Sequence, residues 1–497
     1  MNREKKPLFS HLTRRQFLTT VGAGAVLLNN CGVNTPAATT HPALSTFPRA
    51  ASTGKVSAYT LEAAPVKLEL GGKSLSTWAY NDTLPGPTLR LTEGDTLQVT
   101  VKNRLPQGHG TTVHWHGVPV INAMDGVPGA TQQPIASGQD FVYRFVAPTA
   151  GTYFYHSHVG LQLDRGLYGA LIIDPTHERM SYDQDYVLVL DDWLDGLPGT
   201  PDDAMRKLIA GGDRMGGMGS MGSMNGISRN NVPPDIVYPL YLINGHTSDQ
   251  PATVNVTQGD KVRLRFINAS ASTIYHVALQ GHRMTVTHTD GQAVAPVEVD
   301  VIRIGMGERY DVLVTANNPG VWQLAAVVEG AQAMTRAVMS YKGSVSATPL
   351  PTFQPPELSR QMLNYAMLKA AAGLIVPPAY TPDVTLPILL SGGNGQYVWK
   401  INHEVFSHAQ RIALPHNKLI RFPFQNMSMM PHPMHLHGHF FQLDNGTGRG
   451  PLKDTVIVDA MQKLTINWIS DNPGIWAFHC HNVYHQEAGM MRFVKVS

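Results

Sequence analysis

The stretch from Ile475 to Met491 reads IWAFHCHNVYHQEAGMM, and the rest of the chain is organised around it. Cys480 stands between His479 and His481; His485 follows, then Met490. Read as the last strand, this stretch alternates its side chains between two faces. His479 and His481 then share one face and Cys480 takes the other. One Cys thiolate, two imidazoles and a weak axial Met form the donor set of a blue copper centre. Cys480, His485 and Met490 supply three of those donors locally. The fourth donor, and partners for His479 and His481, must come from elsewhere in the chain.

Internal repeats show where. Thr92 to Asn103 (TEGDTLQVTVKN) is a turn followed by an alternating strand, and Thr257 to Asn268 (TQGDKVRLRFIN) repeats it without a gap. Pro415 to Asn426 (PHNKLIRFPFQN) is a looser third copy, and Asn81, Asn244 and Asn402 lie upstream of the three copies. Downstream, GTYFYHSH from Gly151, GVWQLAAV from Gly320 and GIWAFHCH from Gly474 also align. The first copy keeps both histidines with Ser157 at the cysteine position; the second keeps none, so the middle domain reads as a spacer. Short alternating strands between turn signals, repeated three times, predict an all-β chain of three antiparallel β-sandwiches. The expected domains are 52–180, 185–345 and 384–497, with 346–383 as linker. Pro356 to Ala372, rich in Leu, Met and Ala, reads as helical. A Gly-rich loop at 205–224 carries Met215, Met218, Met221 and Met224 at every third position. It reads either as a flexible insertion without a ligand or as a soft thioether surface for Cu(I).

The chain has 497 residues, 46 Gly, 35 Pro and a formal charge of +2, which gives a polyanionic partner such as nucleic acid no purchase. Residues 1–38 hold five Lys or Arg and one acid, so the remainder carries 33 basic against 35 acidic residues. Within that leader, Arg14-Arg15 precedes the short apolar run Val21 to Leu28, the pattern of a twin-arginine export signal. The run is too short to span a bilayer. The expected partner there is the twin-arginine export machinery and the expected location is the periplasm or outside the cell. Cys31 faintly resembles a lipidation site, but Asn30 before it is wrong for one. Without the leader Cys480 is the sole cysteine, so it is free or bound to metal.

Four histidine segments remain: His114-Trp115-His116-Gly117, His156-Ser157-His158, His432-Pro433-Met434-His435-Leu436-His437 and His479-Cys480-His481. One pair spaced i, i+2 has a bland explanation as surface or core histidines. Four pairs, two in each outer domain, do not. On these motifs the chain resembles the three-domain multicopper oxidases, the family of laccases, ascorbate oxidase and bacterial cuprous oxidases. The resemblance covers nearly the whole chain after the leader and implies cupredoxin-like Greek-key domains.

It further implies four copper ions. His432, Cys480 and His485 would bind the type 1 copper, with Met490 axial. His114 and His435 would bind the type 2 copper. His116, His156, His158, His437, His479 and His481 would bind the type 3 pair. His439 is not a ligand in the family pattern. Asp125 stands where the family carries an acid near the type 2 copper, the alternative being a turn aspartate before Gly126. Glu487 stands two residues after His485, as in laccases, and is the second candidate proton-relay acid.

The implied activity couples one-electron oxidation of a small reducing substrate, Cu(I) or a phenol, to reduction of dioxygen to water. The implied setting is copper homeostasis or resistance, with the chain acting as a monomer. The alternative is a copper-binding or storage protein with incidental oxidase activity. A copper-free structural relative is disfavoured because every ligand type is present. Met427, Met429, Met430 and Met434 crowd around His432 in sequence and favour Cu(I), but Ser428 stands where cuprous oxidases carry an acid.

Overall fold

The computed structural model describes residues 49–211, 232–371, 381–393 and 395–497. The expected export signal, Cys31 and Met215 to Met224 lie outside the described residues. Where the first sequence repeat runs, a four-stranded sheet (Val56–Leu70, Lys73–Tyr80, Thr96–Asn103, Asp140–Val146) shares one core with a second four-stranded sheet (Gly86–Thr92, His114–His116, Gly151–His156, Tyr168–Asp174). The middle repeat builds a six-stranded and a five-stranded sheet around a second core, and the last a seven-stranded and a five-stranded sheet around a third. Strands such as Thr96–Asn103 and Asp140–Val146 bury alternate side chains between two sheets, the sandwich expected from the alternation, and three such sandwiches are the cupredoxin-like architecture that the resemblance implies.

The repeated asparagines explain why three divergent sequences take one fold. Thr96–Asn103, Lys261–Asn268 and Leu419–Asn426 are equivalent strands, each ending on a buried Asn. Asn103 Nδ2 donates to the carbonyls of His109 and Ile135, and its Oδ1 accepts from Leu105 N–H. Asn268 does the same with Thr273, Ile304 and Ser270, and Asn426 with Met430, Val458 and Ser428. A buried amide left without these partners would cost about 1–3 kcal/mol, so each Asn demands this loop geometry. Upstream, Asn81, Asn244 and Asn402 have φ of 53°, 52° and 51°. Asn tolerates this left-handed turn better than other non-glycine residues, and each side chain ties the turn to the neighbouring strand.

Two expectations are corrected. The expected helix over Pro356 to Ala372 does not form among its described residues, 356–371, where only Pro356–Ser359 and Tyr365–Met367 make single 3-10 turns. Its backbone groups are used by neighbours instead. Leu363 N–H donates to Val301 O, Asp300 N–H to Gln361 O, and Ala370 N–H to Arg449 O. Tertiary pairing outweighs a helix propensity of a few tenths of a kcal/mol per residue. The last strand is also interrupted. Gly474–Cys480 is followed by the short helix Val483–Glu487 and then by Met491–Val496. Asn482 caps that helix by accepting from the N–H groups of Tyr484 and His485. The helix returns His485 and Met490 to the cysteine side of the strand.

Candidate metal centres

Strand pairing brings the histidine segments together. His114–His116 pairs antiparallel with Gly151–His156, with His114 opposite His156. His432–Leu436 pairs with Gly474–Cys480, with His435 opposite His479 and Met434 opposite Cys480. Asn122 and Asn472 then hold the two outer domains against each other. Asn122 Nδ2 donates to Ile475 O at 2.7 Å and Asn472 Nδ2 to Val120 O at 2.9 Å.

At this interface His114, His116, His156, His158, His435, His437, His479 and His481 are all buried. They fall into three sets. His158 Nε2 and His437 Nε2 lie 3.4 and 3.0 Å from His479 Nε2. The ring of His481 lies 4.8 Å from that of His116 and 5.2 Å from that of His156. His114 and His435 converge with their rings 5.8 Å apart. Among the described residues, His114 Nε2, His435 Nε2, His116 Nδ1, His156 Nε2 and both nitrogens of His481 have no hydrogen-bond partner. An orphaned buried polar atom costs about 1–3 kcal/mol, and a borderline-soft cation that prefers imidazole is the group that satisfies these.

The opposite nitrogens are held by the protein. His114 Nδ1 donates to Asp125 O at 2.9 Å, and His435 Nδ1 to Asp454 O at 2.9 Å. Asp125, fully buried, places Oδ2 3.0 Å from His437 Nδ1 and Oδ1 3.2 Å from His114 Nδ1. Such partners set which ring nitrogen faces the metal. The turn aspartate is therefore part of the cluster's wall.

Across the strand, Cys480 Sγ lies 3.6 Å from both His432 Nδ1 and His485 Nδ1. Those two nitrogens are 3.0 Å apart, and all three side chains are buried. Met490 is buried beside them, its backbone bonded to Cys480 N and to His485 O. Burial pushes the Cys480 thiol up, so a thiolate persists there only beside a cation that offsets the loss of solvation. Alternation along Gly474–Cys480 thus separates a Cys–His–His triad from an imidazole cluster by one residue on either side.

Glu487 is not brought to the cluster. It is exposed at the end of its helix and, among the described residues, accepts from Gln486 Nε2 at 3.1 Å and touches no cluster imidazole. His439 packs against Trp468 and Trp476 and donates to His437 O, a supporting place. Met434 is core opposite Cys480 rather than surface beside His432. Three partners were not visible in the sequence. Ser428 Oγ lies 2.7 Å from His432 Nε2, and Asp235 Oδ2 lies 2.6 Å from His485 Nε2. Asp454 Oδ1 lies 3.1 Å from His116 Nε2. Only Asp454 had a usable signal, a charged residue just before the apolar run Val456 to Val458 that follows the histidine motif.

Burial first, and neighbouring imidazoles second, hold His158, His437, His479 and His481 well below the ordinary 6.5. Unfolding restores ordinary titration, so the unfolded state binds more protons once pH falls through about 6.5. Metal-free protein should therefore lose stability on acidification, by up to about 1.4 kcal/mol per pH unit for each imidazole kept neutral. Thermal unfolding of the metal-free form between about pH 7.5 and pH 5.5 checks this. A melting temperature that holds constant over that range would contradict the buried neutral cluster.

Comparison with known proteins agrees with this geometry. Three family models described as multicopper oxidase match residues 63–178, 184–344 and 380–497. The multicopper oxidase MmcO of Mycobacterium tuberculosis is 42% identical over 444 residues, 88% of this chain and 86% of that protein. Copper resistance protein A of Escherichia coli is 29% identical, covering 88% and 92%. The crystal structure of laccase from Botrytis aclada superposes with a TM-score of 0.75 at 25% identity, over 90% and 88% of the two chains. With its three domains all matched and its imidazole and thiolate donors assembled in the two outer ones, this chain belongs to the multicopper oxidase family.

Proposed function

We propose that the chain holds four copper ions and oxidises Cu(I) at the expense of dioxygen. The type 1 ion would sit among Cys480, His432 and His485 with Met490 axial. The type 2 ion would sit between His114 and His435. The type 3 ions would sit in the triads His116, His156, His481 and His158, His437, His479. Bound copper supplies single-electron acceptance at the first site and four-electron delivery to dioxygen at the cluster. The orphaned imidazole nitrogens at the domain interface carry this reading. The chain's own part is to hold geometry and protons. Cys480 shares its backbone with His479 and His481, so the two sites are joined covalently. Asp125, whose Oδ2 is hydrogen-bonded to His437 and whose backbone oxygen is hydrogen-bonded to His114, is the buried carboxylate placed to pass protons inward. The leader at 1–38 would export the folded protein by the twin-arginine route.

The substrate reading rests on methionines. Among the described residues, the exposed ones are Met427, Met429 and Met461. Met427 and Met429 flank Ser428, whose hydroxyl touches His432, and Met461 N–H donates to Ser428 O at 3.2 Å, which brings the three backbones together beside that histidine. Thioethers are soft donors that prefer Cu(I) to harder ions. Replacing Met427, Met429 and Met461 together by Leu keeps the area and removes the sulfur. Oxygen uptake with Cu(I) is expected to fall by about tenfold or more, the lower bound for losing metal-orienting groups, while uptake with a small phenol holds. Equal loss on both substrates, or none on Cu(I), would favour phenols. Asp235 is the observation on that side, since a carboxylate on the outer nitrogen of His485 is placed to accept a phenol's proton.

A further inference from the structure

The middle domain supplies no imidazole to either site, yet one of its turns lies against the cluster. A Cβ added at Gly307 would stand 2.9 Å from His116 Cε1 and 3.0 Å from the His481 ring. Two residues on, the fully buried Arg309 donates from Nη1 and Nη2 to the two carboxylate oxygens of Asp454, at 2.7 and 2.6 Å. Its Nε donates to Thr152 O at 3.0 Å and its Nη1 also to Gly307 O at 2.9 Å, which fixes the guanidinium plane. Asp454 passes this order on. Its Oδ1 accepts from His116 Nε2 at 3.1 Å, and its backbone oxygen from His435 Nδ1 at 2.9 Å. One aspartate thus orients an imidazole of the type 3 set and one of the type 2 set.

The surroundings are built for this contact. Gly117, the glycine of His-Trp-His-Gly, has φ of 81°, and a Cβ there would stand 2.3 Å from Arg309 Nη2 and 2.4 Å from Asp454 Oδ2. That glycine leaves room for the ion pair. Behind it Asp290 Oδ1 accepts from Arg309 N–H at 2.9 Å, and Asp290 Oδ2 accepts from the N–H groups of Asp454 and Thr455 at 3.2 Å each. Lys453 Nζ completes the group, 3.1 Å from Asp290 Oδ2 and 3.0 Å from Glu308 Oε1. Asp290, Glu308 and Arg309 come from the middle domain, and Lys453 and Asp454 from the last. Three acids face two bases, and the acid nearest the imidazoles is Asp454, on the side where cations would bind.

We infer that Arg309 is a positioning residue for the copper cluster: by clamping Asp454 it keeps His116 turned with Nδ1, its unpartnered nitrogen, toward the metal. This rests on reading the cluster as copper. The middle domain is then a part of the oxygen-reducing site and not a spacer.

The test uses the full-length, copper-loaded protein and four variants: Arg309→Met, Arg309→Lys, Asp454→Asn and the double variant Arg309→Met/Asp454→Asn. Copper content and electron paramagnetic resonance are read alongside the blue band. In R309M, cluster copper is expected to bind about 10- to 100-fold more weakly, the usual effect of losing a ligand's hydrogen-bond partner. The type 2 signal should shift and part of the coupled pair should become visible, with the type 1 signal unchanged. R309K keeps the charge but not the two-pronged fork, and should fall between wild type and R309M. The double variant should match D454N, because Arg309 acts through Asp454. A wild-type cluster spectrum in folded R309M, or additive effects in the double variant, would overturn the inference. Should R309M fail to fold, a wild-type cluster spectrum in R309K overturns it equally. A wild-type protein without a coupled cluster would instead sink the copper reading itself.

Discussion

Replacing Cys480 with serine is expected to remove the blue absorption and the oxidase turnover together while the fold survives. The colour of a type 1 centre is charge transfer from thiolate to copper, and Cys480 is the thiolate within reach of His432 and His485, 3.6 Å from each. The other cysteine, Cys31, stands outside the described residues and outside all the matched domains. A serine hydroxyl keeps its proton under any condition in which the protein is folded, so it cannot replace a thiolate as donor. The electron path to the cluster also begins at this residue, so turnover should fall to background. The structural cost is small. Sulfur to oxygen opens little space, and the hydroxyl has two imidazole nitrogens beside it to bond. An unsatisfied hydroxyl would cost about 1–3 kcal/mol, against a typical domain stability of about 5–15 kcal/mol. Absorption, circular dichroism and oxygen uptake on one preparation check this. A folded variant that stays intensely blue would refute the assignment.

The second large effect separates the two sites. His116→Ala and His158→Ala lie in the first domain, more than three hundred positions from Cys480. Yet His158 Nε2 is 3.4 Å from His479 Nε2, and the ring of His116 stacks on that of His435 at 3.8 Å. Either variant should keep the blue band at full strength and lose oxygen uptake by more than about 100-fold, beyond the range for losing a mere orienting partner. Stopped-flow reduction of the blue band by substrate should proceed, because electron entry is intact, while reoxidation by dioxygen should stall. Normal turnover in either variant with full copper content would mean that the domain interface is not where dioxygen reacts.

What could be read from the chain, and what could not, follows from distance along it. The place of His485 is set by the short helix after the strand, but Cys480 lies between His479 and His481 and strand alternation decides their facing, so the division into two sites was legible. So was the threefold repeat, because Asn103, Asn268 and Asn426 each satisfy the same local loop. The interrupted last strand was not anticipated, although Asn482 is a good helix cap, because five helical residues leave no periodicity to detect. Glu487 was placed by its spacing from His485, and that same short helix turns it out to solvent. The largest omission was the middle domain. Its lack of the paired histidine motifs suggested a spacer, and its contribution to the cluster is made by Asp290, Glu308 and Arg309. Charged residues on strands ordinarily face water. Only the approach of Arg309 to Asp454 across 145 positions shows that these are buried and paired. Asp235 was hidden for the same reason, since it meets His485 across 250 positions.

One chain is expected to build two kinds of copper site, one around Cys480 and one between the outer domains. Anomalous diffraction at the copper edge, from crystals of the copper-loaded protein, tests it most directly. The expected map has one peak among Cys480, His432 and His485. It has three more at the interface: one between His114 and His435, one among His116, His156 and His481, and one among His158, His437 and His479. A map with copper at Cys480 alone, or with the interface histidines bare while methionine sulfurs hold the metal, would contradict it.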